Sequence, residues 1–139
     1  MRHYKAGLAI PDFPLAFGML VPPLNSFDII IHFTHRIGAV FVSIASFYLA
    51  AVVFIHARNE QRLVLPVVAI MFLVVIQVML GASIIWYAKA AVPTTFHVMN
   101  GAALIGCSVM LAARAFCFRQ RDIATGERQY VNAGLKGLG

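Results

Sequence analysis

Four residues in this 139-residue chain have a type and spacing that could do chemistry. They are His32, His35 and Arg36, in the stretch DIIIHFTHRIGAVF, and His97, in PTTFHVMNGA. Each lies within or at the start of a long apolar run. An ionisable side chain there is costly and marks a candidate functional site. Residues three apart on a helix project within about 60° of each other, so His32 and His35 share a face, while Arg36 points about 100° from His35. His35 is expected about seven residues into its helix and His97 about four into its own, which at 1.5 Å per residue puts both roughly 6–10 Å below the same membrane surface. Two imidazoles at equal depth, on helices running in the same direction, can face each other across a bundle. Three chemistries compete for such a pair. It could ligate haem iron from both axial sides. It could bind copper or zinc, which want a third or fourth ligand that His32 would have to supply. Or it could relay protons, or simply be a set of hydrogen-bonded core polar groups.

The elements that must position these residues are read from hydropathy. Hydrophobic residues make up 61% of the chain and charged residues 12%, with a mean hydropathy of +0.85. A soluble domain of this size could not bury that much apolar surface, so lipid is the expected solvent. Residues 37–55, 63–88 and 92–113 carry no Asp, Glu, Lys or Arg, and a helix needs about 20 apolar residues to cross the bilayer core. The expected fold is all-α and transmembrane. It is an antiparallel helix bundle with spans at about 28–56, 63–88 and 92–117, an outer loop at 1–27 and a tail at 118–139. Ser26 and Asp28 can cap the first helix, Pro66 falls in the first turn of the second, and Pro93 with Thr94 opens the third.

The net charge of +6 is read as topology. Seven basic residues, Arg58, Arg62, Arg114, Arg119, Arg121, Arg128 and Lys136, fall on the side of the first connection and the tail. Arg2, Lys5 and Lys89 fall on the other. Positive residues stay inside, so the tail is expected in the cytoplasm and residues 1–27 outside an inner (plasma) membrane. The basic residues form no run interleaved with aromatics, which argues against nucleic acid as a partner. MRHYKAGLAI lacks the apolar core of a signal peptide, so an upstream helix is expected to carry residues 1–27 across, making the three spans part of a four-helix unit. The Pro-rich segment AGLAIPDFPLAFGMLVPPL cannot form a long helix. It reads as an ordered outer loop, either a lid over a site or a plain connector.

Other polar residues carry weaker signals. His56 can interact with a helix C-terminus, and His3 could reach a polar head group. Gln77 reads as interhelical glue, and Gly81 to Ser83 and Gly101 to Ala103 as small clusters that let helices approach. Cys107 and Cys117 are ten apart in one helix on the reducing side and are not expected to form a disulfide. The closing GLKGLG follows no strand and is not a phosphate loop.

In order along the chain, RHYKAGLAIPDFPLAFG, HFTHR, QVMLGA and FHVMNGA resemble the haem A synthase family of membrane proteins, over about residues 2–113. The separation of His35 from His97 also fits one half of that family. The resemblance implies two tandem four-helix halves, each holding a haem between a histidine pair. One half takes haem O, and the other holds a haem b that supplies electrons. It implies an oxidoreductase that converts a methyl group of haem O to the formyl of haem A for terminal oxidases. By the same resemblance His35 and His97 would be the axial ligands of the haem iron. Arg36, Arg2 and Lys5 would pair with the propionates. Haem O synthase, an electron donor, membrane lipid and a second copy of the chain are the implied partners.

Three departures from the family pattern stand out. The first helix and the second half are absent from this sequence. His32 takes the place of a glutamate three residues before the HR histidine, a position for which the resemblance implies a catalytic role. An imidazole could act there as a general base. Finally, Ile10 and Ala16, or near neighbours, stand where many members carry outer-loop cysteines. A non-catalytic haem b electron carrier, a haem-free assembly bundle and a truncated product are the competing readings.

Overall fold

The structure is a computed structural model that describes residues 9–87 and 91–136. Ser26 ends the loop in extended conformation, and its side chain accepts the Ile29 N–H at 3.4 Å, starting α1, Phe27–His56. Asp28 lies in the first turn, where a carboxylate suits the helix dipole. A short turn through Ala57–Glu60 reverses the chain into α2, Gln61–Trp86. The third helix, α3, runs Ala91–Lys136. All three are long and apolar enough to cross a bilayer, the third over Ala91–Arg121. The protein is an all-α transmembrane bundle.

Two helix ends lie further out than hydropathy suggests. α2 starts at Gln61, so Pro66 falls in its second turn rather than its first. A proline there has no N–H to give the Arg62 carbonyl, four residues back. Arg114 of α3 supplies the missing donor, its guanidinium reaching that carbonyl at 2.9 Å. α3 does not stop at residue 117 but continues to Lys136, so most of the expected tail is helical. The added stretch RQRDIATGERQYVNAGLK contains no proline and several good helix formers.

α2 is the central helix, packed on α3 along its length and on α1 more locally. Its Leu63, Val67, Ile70 and Val74 recur at the spacing of a helix–helix seam, and meet Ala50 and Val53 of α1 and Leu111 of α3. This core sits toward the α1–α2 connection. Elsewhere large apolar side chains face outward, with Ile55 72%, Phe72 67% and Ile105 66% exposed, as lipid-facing residues must be. The opposite end of the bundle, where α1 and α3 begin, carries the polar residues.

Candidate functional site

The first turns of α1 are organised by the loop above them. Asp12 is the loop's own anchor, its carboxylate accepting the N–H groups of Phe17 at 2.7 Å and Gly18 at 2.8 Å. Those two residues form the middle of a tight turn in which Ala16 and Met19 exchange backbone hydrogen bonds at 2.8 and 3.0 Å. Both have positive φ, 55° and 72°, the geometry of a type I′ turn. Glycine adopts it freely at position 18, and Phe17 adopts it against its side chain. The hydrogen bonds from Gly18 and Phe17 hold the Asp12 carboxyl below its ordinary value of 3.8.

The loop is clamped to α1 by two of the singled-out residues. Arg36 donates to the backbone carbonyls of Leu15 at 2.9 Å, Asp12 at 2.7 Å and Ile10 at 3.5 Å. Its guanidinium also lies 5.8 Å from the centre of the Phe13 ring, which packs edge-on against Trp86 of α2. His32, at 9% exposure, accepts the Ile10 N–H on Nδ1 at 3.3 Å. With Nδ1 used as an acceptor, the neutral ring carries its proton on Nε2 and offers a donor beyond the loop. His32 and Arg36 are one turn apart, about 40° in angle, and share the loop-facing side of α1. His35 turns the other way, toward α3.

His35 and His97 do meet. Their ring centroids are 6.2 Å apart with planes at 64°. His35 is exposed, and no hydrogen bond holds its ring among the described residues. His97 is half-buried, and its Nδ1 is buried without a hydrogen-bond partner among the described residues. Its ring edge lies against Gly81 of α2, where an added Cβ would be 3.5 Å from Cε1 and 3.8 Å from Nδ1. On its other side Gln77 places its amide nitrogen 3.2 Å from the ring Nε2 and donates to the His97 carbonyl at 3.1 Å. Asn100 completes the cluster, donating to Gln77 Oε1 at 2.6 Å and to the Leu73 carbonyl at 2.9 Å.

Each expected site residue thus has a definite place. His35 and His97 are brought together. His32 and Arg36 lie on the neighbouring side of α1 and hold the loop, so the apolar segment is an ordered loop fixed over the N-terminal turns of α1. Arg36 therefore has its terminal nitrogens on loop carbonyls, not turned outward for an anionic ligand. Arg2 and Lys5 lie outside the described residues, as do His3 and Lys89. No group of three or more His, Cys, Asp or Glu side chains able to hold a metal occurs among the described residues. The sequence reading missed Asn100 as a site residue and took Gln77 only as glue. The available signal was spacing, since Asn100 is three residues from His97 and so on the same face.

Fold and side-chain geometry together define a multi-pass membrane protein with two facing imidazoles at one end of its bundle, beside a loop clamped to α1. The chain belongs to the COX15-CtaA family of cytochrome oxidase assembly proteins, whose family model matches residues 1–110. No curated protein and no solved structure matches it.

Proposed function

We propose that this protein is a haem A synthase-like oxidoreductase that binds haem O between His35 and His97 and converts one of its methyl groups to a formyl. The observation that carries this reading is the approach of two imidazoles from different helices to 6.2 Å. With metal–nitrogen bonds of about 2 Å, two imidazoles sharing one metal ion span roughly that distance. A pair of nitrogens suits haem iron, whose macrocycle supplies the remaining ligands. It suits copper or zinc poorly, because His32, the nearest third imidazole, has its Nδ1 committed to the loop. The exposed His35 and the thin α1–α3 contact leave the pair open toward lipid, the phase in which an isoprenoid-tailed haem resides.

Methyl to formyl is a net loss of four electrons with gain of one oxygen atom. Two successive hydroxylations followed by loss of water achieve it, and dioxygen and an external electron donor complete the balance. The chain's own residues hold and orient. His35 and His97 fix the substrate iron, and the Arg36 clamp keeps the loop in place above α1. His32 presents an N–H at the rim of the site, where it can steer a reacting group or pass a proton. A cationic edge for the propionates is left to Arg2 and Lys5. Haem O synthase as the source of substrate, a second copy of the chain and a cytoplasmic C-terminus belong to the same proposal.

The test is to co-express the full-length protein with a haem O source, purify it in detergent, record the reduced-minus-oxidised spectrum and identify extracted haems by mass. Haem O with its hydroxylated or formyl derivatives is the expected content. Haem b alone would point to an electron carrier, and absence of any haem would leave an assembly bundle without this chemistry.

A further inference from the structure

We infer that Asn100 and Gln77 are positioning residues that set the tautomer of His97, placing its proton on Nδ1 and keeping Nε2 bare for iron. The inference rests on the haem reading above, but its evidence lies in the direction of four contacts. The Leu73 carbonyl can only accept, so the Asn100 group 2.9 Å from it must be the NH2. That same NH2 is 2.6 Å from the Gln77 side chain, which must present its oxygen there. The Gln77 NH2 is therefore turned to His97, where it donates to the backbone carbonyl at 3.1 Å and faces ring Nε2 at 3.2 Å. A donor cannot face an N–H, so Nε2 is the acceptor, and the neutral ring carries its proton on Nδ1.

Among the described residues no other side chain hydrogen-bonds the ring. Nδ1 is buried with no hydrogen-bond partner, so the choice between tautomers is made at Nε2 alone. Metal-ligating histidines are commonly held in the correct tautomer by a partner on the nitrogen away from the metal. Here the order arrives at Nε2 itself, passed from the Leu73 carbonyl through two amides. Gly101 makes room for it, because a Cβ there would stand 3.3 Å from Gln77 Nε2 and press on that amide. When a ligand takes the Nε2 lone pair, Gln77 gives up one contact and retains its bond to the His97 carbonyl. The exchange costs about one hydrogen bond and leaves the side chain anchored.

The test uses full-length, haem-free protein in detergent with 15N-labelled histidine. Ring-nitrogen shifts report which nitrogen carries the proton, and a haemin titration follows on the same samples. Wild-type His97 is expected as the Nδ1–H tautomer. Gln77→Met removes the donor, and Asn100→Leu frees the Gln77 amide to flip. Both are expected to give mixed tautomers, with haemin affinity within a few-fold of wild type, because losing the competing Gln77 contact offsets the cost of selecting one tautomer. If Gln77→Met does not fold, Asn100→Leu carries the test with Gln77 in place. A wild-type proton on Nε2, or the wild-type tautomer in the folded variants, would overturn the inference. His97→Ala separates the two layers. Haemin retained in that variant sinks the haem reading, while haemin lost there with the His97 tautomer unmoved in Asn100→Leu sinks only the amide relay.

Discussion

At the scale of single residues, the site is a division of labour on two turns of α1. His35 faces α3, whereas His32 and Arg36 face the loop. His35→Ala and His97→Ala are each expected to abolish stoichiometric haem in the purified protein, and a Soret band at wild-type stoichiometry in either would contradict the pairing. His32→Ala is expected to spare haem binding and lower formation of haem A, and an unchanged haem A yield would limit it to the loop contact. Asp12 adds a pH dependence. Its carboxyl is held below 3.8, so the stabilisation is fully present above that value and is lost as pH falls through the lowered one. Protection of the Phe17 and Gly18 amides relative to their intrinsic exchange rates should fall across that acid range, and Asp12→Asn should lower it already at neutral pH. The histidine pair was legible because His35 and His97 interrupt apolar runs at matched depth. The clamp was not, because backbone carbonyls at 10, 12 and 15 leave no mark in a sequence. A residue's partner there depends on how a proline-rich loop folds back, and no periodicity encodes that.

At the scale of elements, the spans were legible from hydropathy and their ends were not. Gln61 and Arg62 are polar, so they fall outside an apolar window, yet they are competent helix residues at the membrane edge. The same holds for the continuation of α3 past residue 117. The shifted start of α2 creates a specific dependency, since Pro66 strands the Arg62 carbonyl and Arg114 satisfies it. Arg114→Ala is expected to destabilise the α2–α3 pair by about 1 kcal/mol, the net worth of such a bond, read as a lowered midpoint of thermal unfolding in detergent. Ile70, 4% exposed in the centre of the seam, should matter more. Ile70→Ala is expected to cost roughly 2–5 kcal/mol through the cavity it leaves. Equal shifts for the two variants would mean that the seam is not the main source of cohesion.

At the scale of the whole molecule, α3 is longer than a membrane is thick. Its 46 residues span about 70 Å, against roughly 30 Å for the hydrocarbon core. Its far end therefore projects well clear of the lipid, on the side where arginines gather. Under the proposed orientation a C-terminal alkaline phosphatase fusion is expected to be inactive, and an active one would invert the topology. The two ends of the bundle are also held by different means. α1 buries Ala50 and Val53 in the core near its C-terminus, but toward its N-terminus only His32 is buried. A helix surrounded by lipid can spin about its own axis at little expense where no neighbour grips it. Here the grip on the upper half of α1 comes from outside the bilayer, where His32 and Arg36 engage the loop like two teeth in a keyway. The compass bearing of His35 thus depends on a loop outside the helices, and loosening that loop would let the imidazole turn away from its partner while the apolar seam at the far end of α1 stays closed.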